Sequence, residues 1–400
     1  MDWSDIADYL LDEIVVRLDS YSDYVRLRAV CPVWKSSLPK IPKYLPLTLP
    51  GLMLPCNHTD SEVFNLFFAA SEVHKLKLAK TEQWLWKGSS KGWLVQLENS
   101  PSINLINPLT STRMQLPPLT TFPNVLEYIP ERIGAEYSVM TVNMREEEIR
   151  FFSLAEMKHF CVKKLVLSTS PRGKNCLAMA IYGDRDELAW CRIGDEGWKT
   201  VEGGWCFFDD IIHFDGKFYA LDYIGRVIIL PDEEVGASCP KATLFASPPN
   251  PDRPDFISDY FYLVESSGQL LMVDRLFESS SKSYNTVKFK VFMLNVNNVS
   301  SPWSKVKSLG DRMLFVGQGE SFSMSSRDLP CLWKENRIYF TDDCNRSFDV
   351  HVEFQEVAGS DMGVFSLEDR RMETLPLPPG YEGCRRRVWP PPIWITPNYF

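Results

Sequence analysis

"IIHFDGKFYALDYIGRVIIL", residues Ile211 to Leu230, decides how this chain folds. Two apolar, strand-like runs flank Asp215-Gly216, a dipeptide suited to the tight turn of a β-hairpin. The design recurs in "WLWKGSSKGWLVQLENS" from Trp84 and in "YFYLVESSGQLLMVDRLF" from Tyr260, with Ser267-Gly268 at its turn. It recurs again in "LPCLWKENRIYFTDD" from Leu329.

A second kind of segment alternates with the hairpins: an apolar strand, a polar turn and a large residue. Examples are "INLINPLTSTRMQLPPL" from Ile103, "LAWCRIGDEGWKTVEGG" from Leu188, "VFMLNVNNVSSPWSKV" from Val291 and "VFSLEDRRMETLPLP" from Val364. Met114, Trp198, Trp303 and Met372 hold like places in them. One hairpin and one such segment make a unit of roughly 45 to 65 residues, the length of a kelch-like propeller blade. Five units fall near 84–119, 160–202, 205–246, 257–310 and 312–378. A sixth combines "LMLP", "VFNLFFAA" and "HKLKLA" after Leu52 with the last strand, "PIWITP". Joining the two ends in this way closes a ring and removes free edges. The expected fold is therefore mainly β, a kelch-like β-propeller of about six blades over residues 44–400, with a β-sandwich array as the alternative. Thr120 to Phe151 and Glu278 to Val287 carry no such pattern and are expected to be variable recognition loops.

Composition agrees with a folded globular chain: 44% of its 400 residues are hydrophobic and 13% aromatic. The 28 prolines lie mostly between apolar runs, which favours turns and edges over long helices. A net charge of −9 argues against a nucleic-acid surface, since phosphate binding needs a basic face. The triplet Arg385, Arg386 and Arg387 reads as a solvated loop. No basic leader and no run of about 20 apolar residues is visible, so no membrane association and a cytoplasmic or nuclear location are expected.

Residues 1–40 differ from everything after them. Ile6, Leu10, Leu11, Ile14, Val15 and Leu18 share one side of a helix. Ser4 is placed to cap it, and Asp5 and Asp8 lie in its first turn, where the helix dipole favours negative charge. A second helix runs from Ser22 or Asp23 to Cys31, where Pro32 stops it, and a short turn carries Trp34. So small a module needs a partner or the rest of the chain to cover its apolar side. Both options stay open on these grounds.

The run "DIADYLLDEIVVRLDSYSDYVRLRAVCPVWKSSL" resembles an F-box, through Leu10-Leu11, Ile14, Arg17-Leu18, Asp23, Arg26, Arg28, Val30-Cys31 and Trp34. "LPGLMLP", "GWLVQLE", "INPLTSTRMQLPPL", "KLVLSTSP", "DIIHFDGKFYALD", "SLGDRMLFVGQGESFSM", "NRIYFTDD" and "PPPIWITP" extend the likeness along the chain. Together they are similar to plant F-box proteins with a C-terminal kelch-like propeller, the KIB/SKIP-like family. The resemblance implies a substrate receptor of an SCF-type ubiquitin ligase, docked on a Skp-type adaptor and its cullin core. Its target is a protein, a kinase by analogy with some members. The implied adaptor contacts are Ile6, Leu10, Leu11, Ile14, Val15, Leu18, Val30 and Trp34, with Cys31 a packing residue. Where the family begins its helix with Leu-Pro, Ile6-Ala7 stands here, so weaker adaptor binding is expected. A protein-binding scaffold without ligase function is the alternative.

Signals for chemistry are sparse. No GxSxG elbow, Walker loop or GxGxxG fingerprint occurs, and no cofactor is expected. The 10 cysteines include no CxxC pair and the 5 histidines no HxxxH spacing, so no metal site is expected and the thiols read as small buried hydrophobes. "GQGES", Gly317 to Ser321, reads as a tight strand crossing near the propeller axis. Asp209-Asp210 and Asp342-Asp343 read as turn devices. A hydrolase would need Asp209, Asp342 or Asp343 to converge in one cleft as an acid couple. His213 and His351 read as packing residues.

Overall fold

A computed structural model describes residues 6–18, 21–39, 50–55, 63–68, 73–77, 85–143, 146–173, 175–232, 240–249, 259–280, 283–295, 302–329, 333–343, 361–377 and 392–396. The chain opens with three short helices, α1 (Asp8–Val16), α2 (Tyr21–Arg28) and α3 (Pro32–Ser37). The α1 helix starts at Ala7, whose side chain offers no acceptor to the first amides; the expected cap Ser4 lies outside the described residues. The second helix ends at Arg28, not Cys31, and Pro32 instead opens α3, where its fixed φ suits the first turn. Cys31 caps that helix, its Sγ accepting from the Trp34 amide at 3.5 Å. Leu11, Val15, Tyr24, Trp34 and Leu38 form the core of this headpiece, with Ile6, Leu18, Leu27 and Cys31 packed against it. None of the described helices is long and apolar enough to cross a membrane.

The rest is sheet. The strands are β1 (Gly51–Pro55), β2 (Val63–Phe68), β3 (Val73–Lys77), β4 (Leu85–Ser90), β5 (Trp93–Leu97), β6 (Ile103–Ile106) and β7 (Arg113–Leu116). Next come β8 (Val125–Tyr128), β9 (Tyr137–Asn143) and β10 (Glu146–Phe152), a helix α4 (Leu154–Phe160), then β11 (Val162–Leu167), β12 (Leu177–Tyr182), β13 (Glu187–Arg192) and β14 (Lys199–Thr200). They are followed by β15 (Phe208–Phe214), β16 (Lys217–Asp222), β17 (Val227–Pro231) and β18 (Thr243–Ala246). Then follow β19 (Asp259–Ser266), β20 (Gln269–Ser280), β21 (Ser283–Leu294) and β22 (Trp303–Val306). The last are β23 (Arg312–Val316), β24 (Phe322–Ser325), β25 (Arg337–Phe340), β26 (Gly363–Ser366), β27 (Met372–Glu373) and β28 (Ile393–Ile395).

Among the described residues six sheets follow one another in a closed circuit, with orders β28-β1-β2-β3, β4 to β7, β11 to β14, β15 to β18, β19 to β22, and β24-β23-β25-β26-β27. The closing strand is the expected one: Trp394 faces Leu52 across the β28–β1 ladder. Each joint between successive sheets holds an apolar cluster. The first joint packs Met53 and Ile393 on Trp86 and Leu94, and the last packs Phe315 on Trp394, with ring centroids 5.1 Å apart. Because each sheet has neighbours on both faces, strands such as β5 and β12 are buried along their whole length. This explains why their sequence reads as continuous apolar runs and not as alternation.

Hairpin turns match their sequences. Asp215 and Gly216 take φ of 48° and 68°, and Ser267 and Gly268 take 53° and 75°, the pair of positive angles that a type I′ turn requires. Met114, Trp198, Trp303 and Met372 all stand in, or directly before, the last strand of their sheets. Three expectations fail. "LPCLWKENRIYFTDD" makes no hairpin; its strand β25 runs parallel to β23, because β24 folds back beside β23 and takes the hairpin position. Residues 278–280 and 283–286 pair within the long β20–β21 ladder, not as a loop. The strands β8, β9 and β10 form a separate sheet of order β10-β9-β8, whose inward Tyr137, Val139 and Phe152 join the cluster between the β4 and β11 sheets. The ring stays continuous beneath it, since the Leu167 amide of β11 donates to Ser90 Oγ of β4 at 2.9 Å.

"GQGES" is a tight crossing, as expected. A Cβ on Gly319 would stand 2.8 Å from Ser89 Oγ and 2.9 Å from the Ser89 amide, and one on Gly88 would stand 2.8 Å from the Gln318 carbonyl. Gly319→Ala is expected to destabilise the protein by about 1–3 kcal/mol through this overlap. Gly216→Ala, in open space but at positive φ, should cost about 1 kcal/mol. Urea unfolding of the two variants checks the difference.

Candidate functional site

Two regions gather functional side chains: the outer side of the headpiece and the ring axis. On the headpiece the eight sequence-predicted contact residues divide by burial. Leu11, Val15 and Trp34 are interior, Ile6, Ile14 and Leu18 half-buried, and Leu10 (42%) and Val30 (59%) exposed. Tyr9, Val16 and Val33 are exposed beside them and were not singled out from sequence. Helical spacing tells which residues share a face. It does not tell which of two apolar faces the small core consumes.

At the axis the acid pairs are not turn devices. Asp210, the third residue of β15, accepts from three directions. Its Oδ1 takes the Lys164 ammonium of β11 and the Ile211 amide at 2.8 Å, and its Oδ2 takes the Leu263 amide of β19 at 2.8 Å. One carboxylate thus stitches three sheets. Beside it, Lys163 Nζ donates to the Phe208 carbonyl at 2.7 Å, to Asp186 at 2.8 Å and to Asp209 at 3.4 Å.

Asp343 serves the next joint. Arg275 of β20 is fully buried and donates to Asp343 Oδ1 at 3.0 Å, Tyr262 Oη at 2.8 Å, the Thr341 carbonyl at 3.0 Å, Thr286 Oγ1 at 2.7 Å and Asp361 Oδ2 at 3.0 Å. Tyr262 donates to the other Asp343 oxygen at 2.5 Å. Burial raises the Asp343 carboxyl above the ordinary carboxylate range, and Arg275 opposes that rise. A third link joins Glu320 of the "GQGES" turn to Ser90 Oγ at 2.7 Å and Lys91 Nζ at 2.6 Å.

A cavity of about 210 Å³ opens at the axis, lined by Lys91, His213, Glu265, Glu320, Ser321 and Thr396 among others. It is smaller than the few hundred Å³ usual for a small-molecule site. Asp209, Asp342 and Asp343 do not line it. His213 spends Nε2 on the Asp232 carboxylate at 2.9 Å, a partner that sequence inspection missed, and His351 lies outside the described residues. Cys161, Cys176 and Cys191 are buried; burial pushes the Cys161 thiol up to about 12, which keeps it protonated and inert. Arg385 to Arg387 also lie outside the described residues. Among the described residues no group of His, Cys, Asp and Glu is arranged to hold a metal.

A helical headpiece with an exposed apolar side, followed by a closed ring of sheets, defines an F-box protein with a propeller body. The chain belongs to the KIB1-4 beta-propeller family, whose model matches residues 63–366. It is 29% identical to F-box protein SKIP23 of Arabidopsis thaliana, over 99% of this chain and 96% of that one. It is 27% identical to F-box protein At2g17036 of the same plant, over 100% and 96%.

Asp210 carries a testable consequence. Burial pushes its carboxyl up to about 6, against the pull of Lys164 and the two amides. Between about pH 4 and 6 the native state holds a proton that the unfolded chain has released, so this group's contribution to stability falls as pH rises and is constant above. Asp210→Asn should make the slope of unfolding free energy against pH more positive in that window. At pH 7 the variant should also lose about 3 kcal/mol, because Lys164 is left buried and unpaired. Urea titrations at several pH values read both.

Proposed function

We propose that this chain is the substrate-recognition subunit of an SCF-type ubiquitin ligase. The headpiece docks a Skp-type adaptor joined to a cullin core, and the propeller holds a target protein for ubiquitin transfer. The observation that carries this reading is the apolar side of the headpiece. Leu10 and Val30, with Tyr9, Val16 and Val33, stay exposed although the module has closed its own core. Exposed apolar patches of this kind mark interaction sites. In this reading Leu10, Ile14 and Val30 touch the adaptor, while Leu11, Val15 and Trp34 act by holding the helices in place.

The chain itself makes and breaks no bond. Supporting this, Asp209 and Asp343 are engaged by Lys163 and Arg275 across the joints, and neither opens on the axial cavity. The target is a protein, a kinase by analogy alone, and the location is cytoplasmic or nuclear, where such ligases act.

Leu10→Asp is expected to weaken capture of a Skp-type adaptor by tenfold or more, on the order expected when a buried apolar anchor is lost, with the ring's unfolding transition unchanged. Trp34→Ala should weaken capture and also melt the headpiece, read by hydrogen exchange of its amides. Adaptor capture unaffected by Leu10→Asp and Val30→Asp together overturns the proposal.

A further inference from the structure

The six ring sheets end in outer strands of two to five residues, from Lys199–Thr200 and Met372–Glu373 up to Val73–Lys77. Short outer strands are a common protection against unwanted pairing. The additional sheet is built otherwise. Its edge strand β10 has seven residues, and its far side takes no strand among the described residues. The outward face is apolar as well as unpaired. Ile149 stands opposite Met140 and Phe151 opposite Ser138, and Ile149 (54%) and Phe151 (59%) are exposed. Ile133, in the loop between β8 and β9, is 91% exposed.

Charge narrows what could pair there. Residues 125–152 carry six Glu against three Arg. Along β10, Glu148 meets Arg150 at 4.0 Å, and Glu146 and Glu147 have no ion-pair partner among the described residues. Two acids, two large apolar side chains and a free backbone edge therefore share one strand. We infer that β10 is a docking strand for the target: an extended segment of a partner protein, alternating basic and apolar residues, adds to the sheet as a fourth strand. Main-chain hydrogen bonds supply the pairing, Ile149 and Phe151 take the partner's apolar side chains on one face, and Glu146, on the opposite face, takes a cation, while the acidic charge of the strand favours a basic partner. This deepens the receptor reading and rests on it for the identity of the partner as a ligase target. It does not depend on the adaptor.

The test uses the full chain and a fluorescein-labelled nonapeptide alternating lysine and valine, read by anisotropy. The peptide should bind roughly tenfold or more tightly than its glutamate–valine counterpart, and N-methylation along one backbone edge should weaken it by a similar factor. Ile149→Thr with Phe151→Ser should weaken it likewise, and so should Glu146→Lys with Glu147→Lys, a surface pair that leaves packing untouched. Equal binding by the N-methylated peptide, or by both variants, overturns the inference. Self-association of the chain that Ile149→Thr with Phe151→Ser abolishes also overturns it, since the occupant is then a second copy. Adaptor capture on the same preparations separates the two proposals: peptide binding retained while capture fails in the unaltered chain sinks the ligase reading and leaves the docking strand.

Discussion

Each sheet of the ring buries both faces against its neighbours, so burial is complete only when the last joint forms. That joint depends on β28, three residues from the chain's far end, which pair with Gly51 to Met53 and bring Trp394 onto Phe315. Closure of this kind links the stability of every sheet to that of the others. It also places the costliest contacts, those between residues most distant in sequence, at a single seam.

Apolar packing alone would let neighbouring sheets slide. Charged groups at the axis remove that freedom. Asp210 can accept from Lys164, Ile211 and Leu263 at once in only one arrangement of three sheets, and the Arg275 fork, stacked 4.7 Å from Phe340, sets the relation of the third of these to a fourth. Buried ion pairs of this sort contribute little net stability against an apolar alternative, but breaking one is expensive. Their role here is register. Asp210 and Asp343, read from sequence as parts of turn devices, are employed in that role.

Around the rigid ring, the surfaces left unsatisfied lie at its margins. The headpiece exposes Leu10 and Val30 after closing its core on Trp34, and the added sheet exposes Ile149 and Phe151 on a long edge that pairs with no strand among the described residues. In the proposed reading one surface serves the ligase and the other the cargo, and the two lie on separate elements, so each can be altered without the other.

Much of this was legible in the linear chain. Turn dipeptides such as Asp215-Gly216, the repeated hairpin, the outer-strand Trp and Met residues and the helical headpiece are local signals, set by side-chain period and turn geometry, and the return of "PIWITP" to the first sheet followed from the need to close the ring without free edges. The β8–β10 sheet, the parallel β23–β25 pair, the Asp210 and Arg275 stitches and the sorting of headpiece residues into core and surface were decided only by tertiary structure. The physical reason is range. A hairpin is chosen by residues that adjoin, whereas Lys164 meets Asp210 only because two sheets pack side by side, and Trp34 is buried only because three helices close on it.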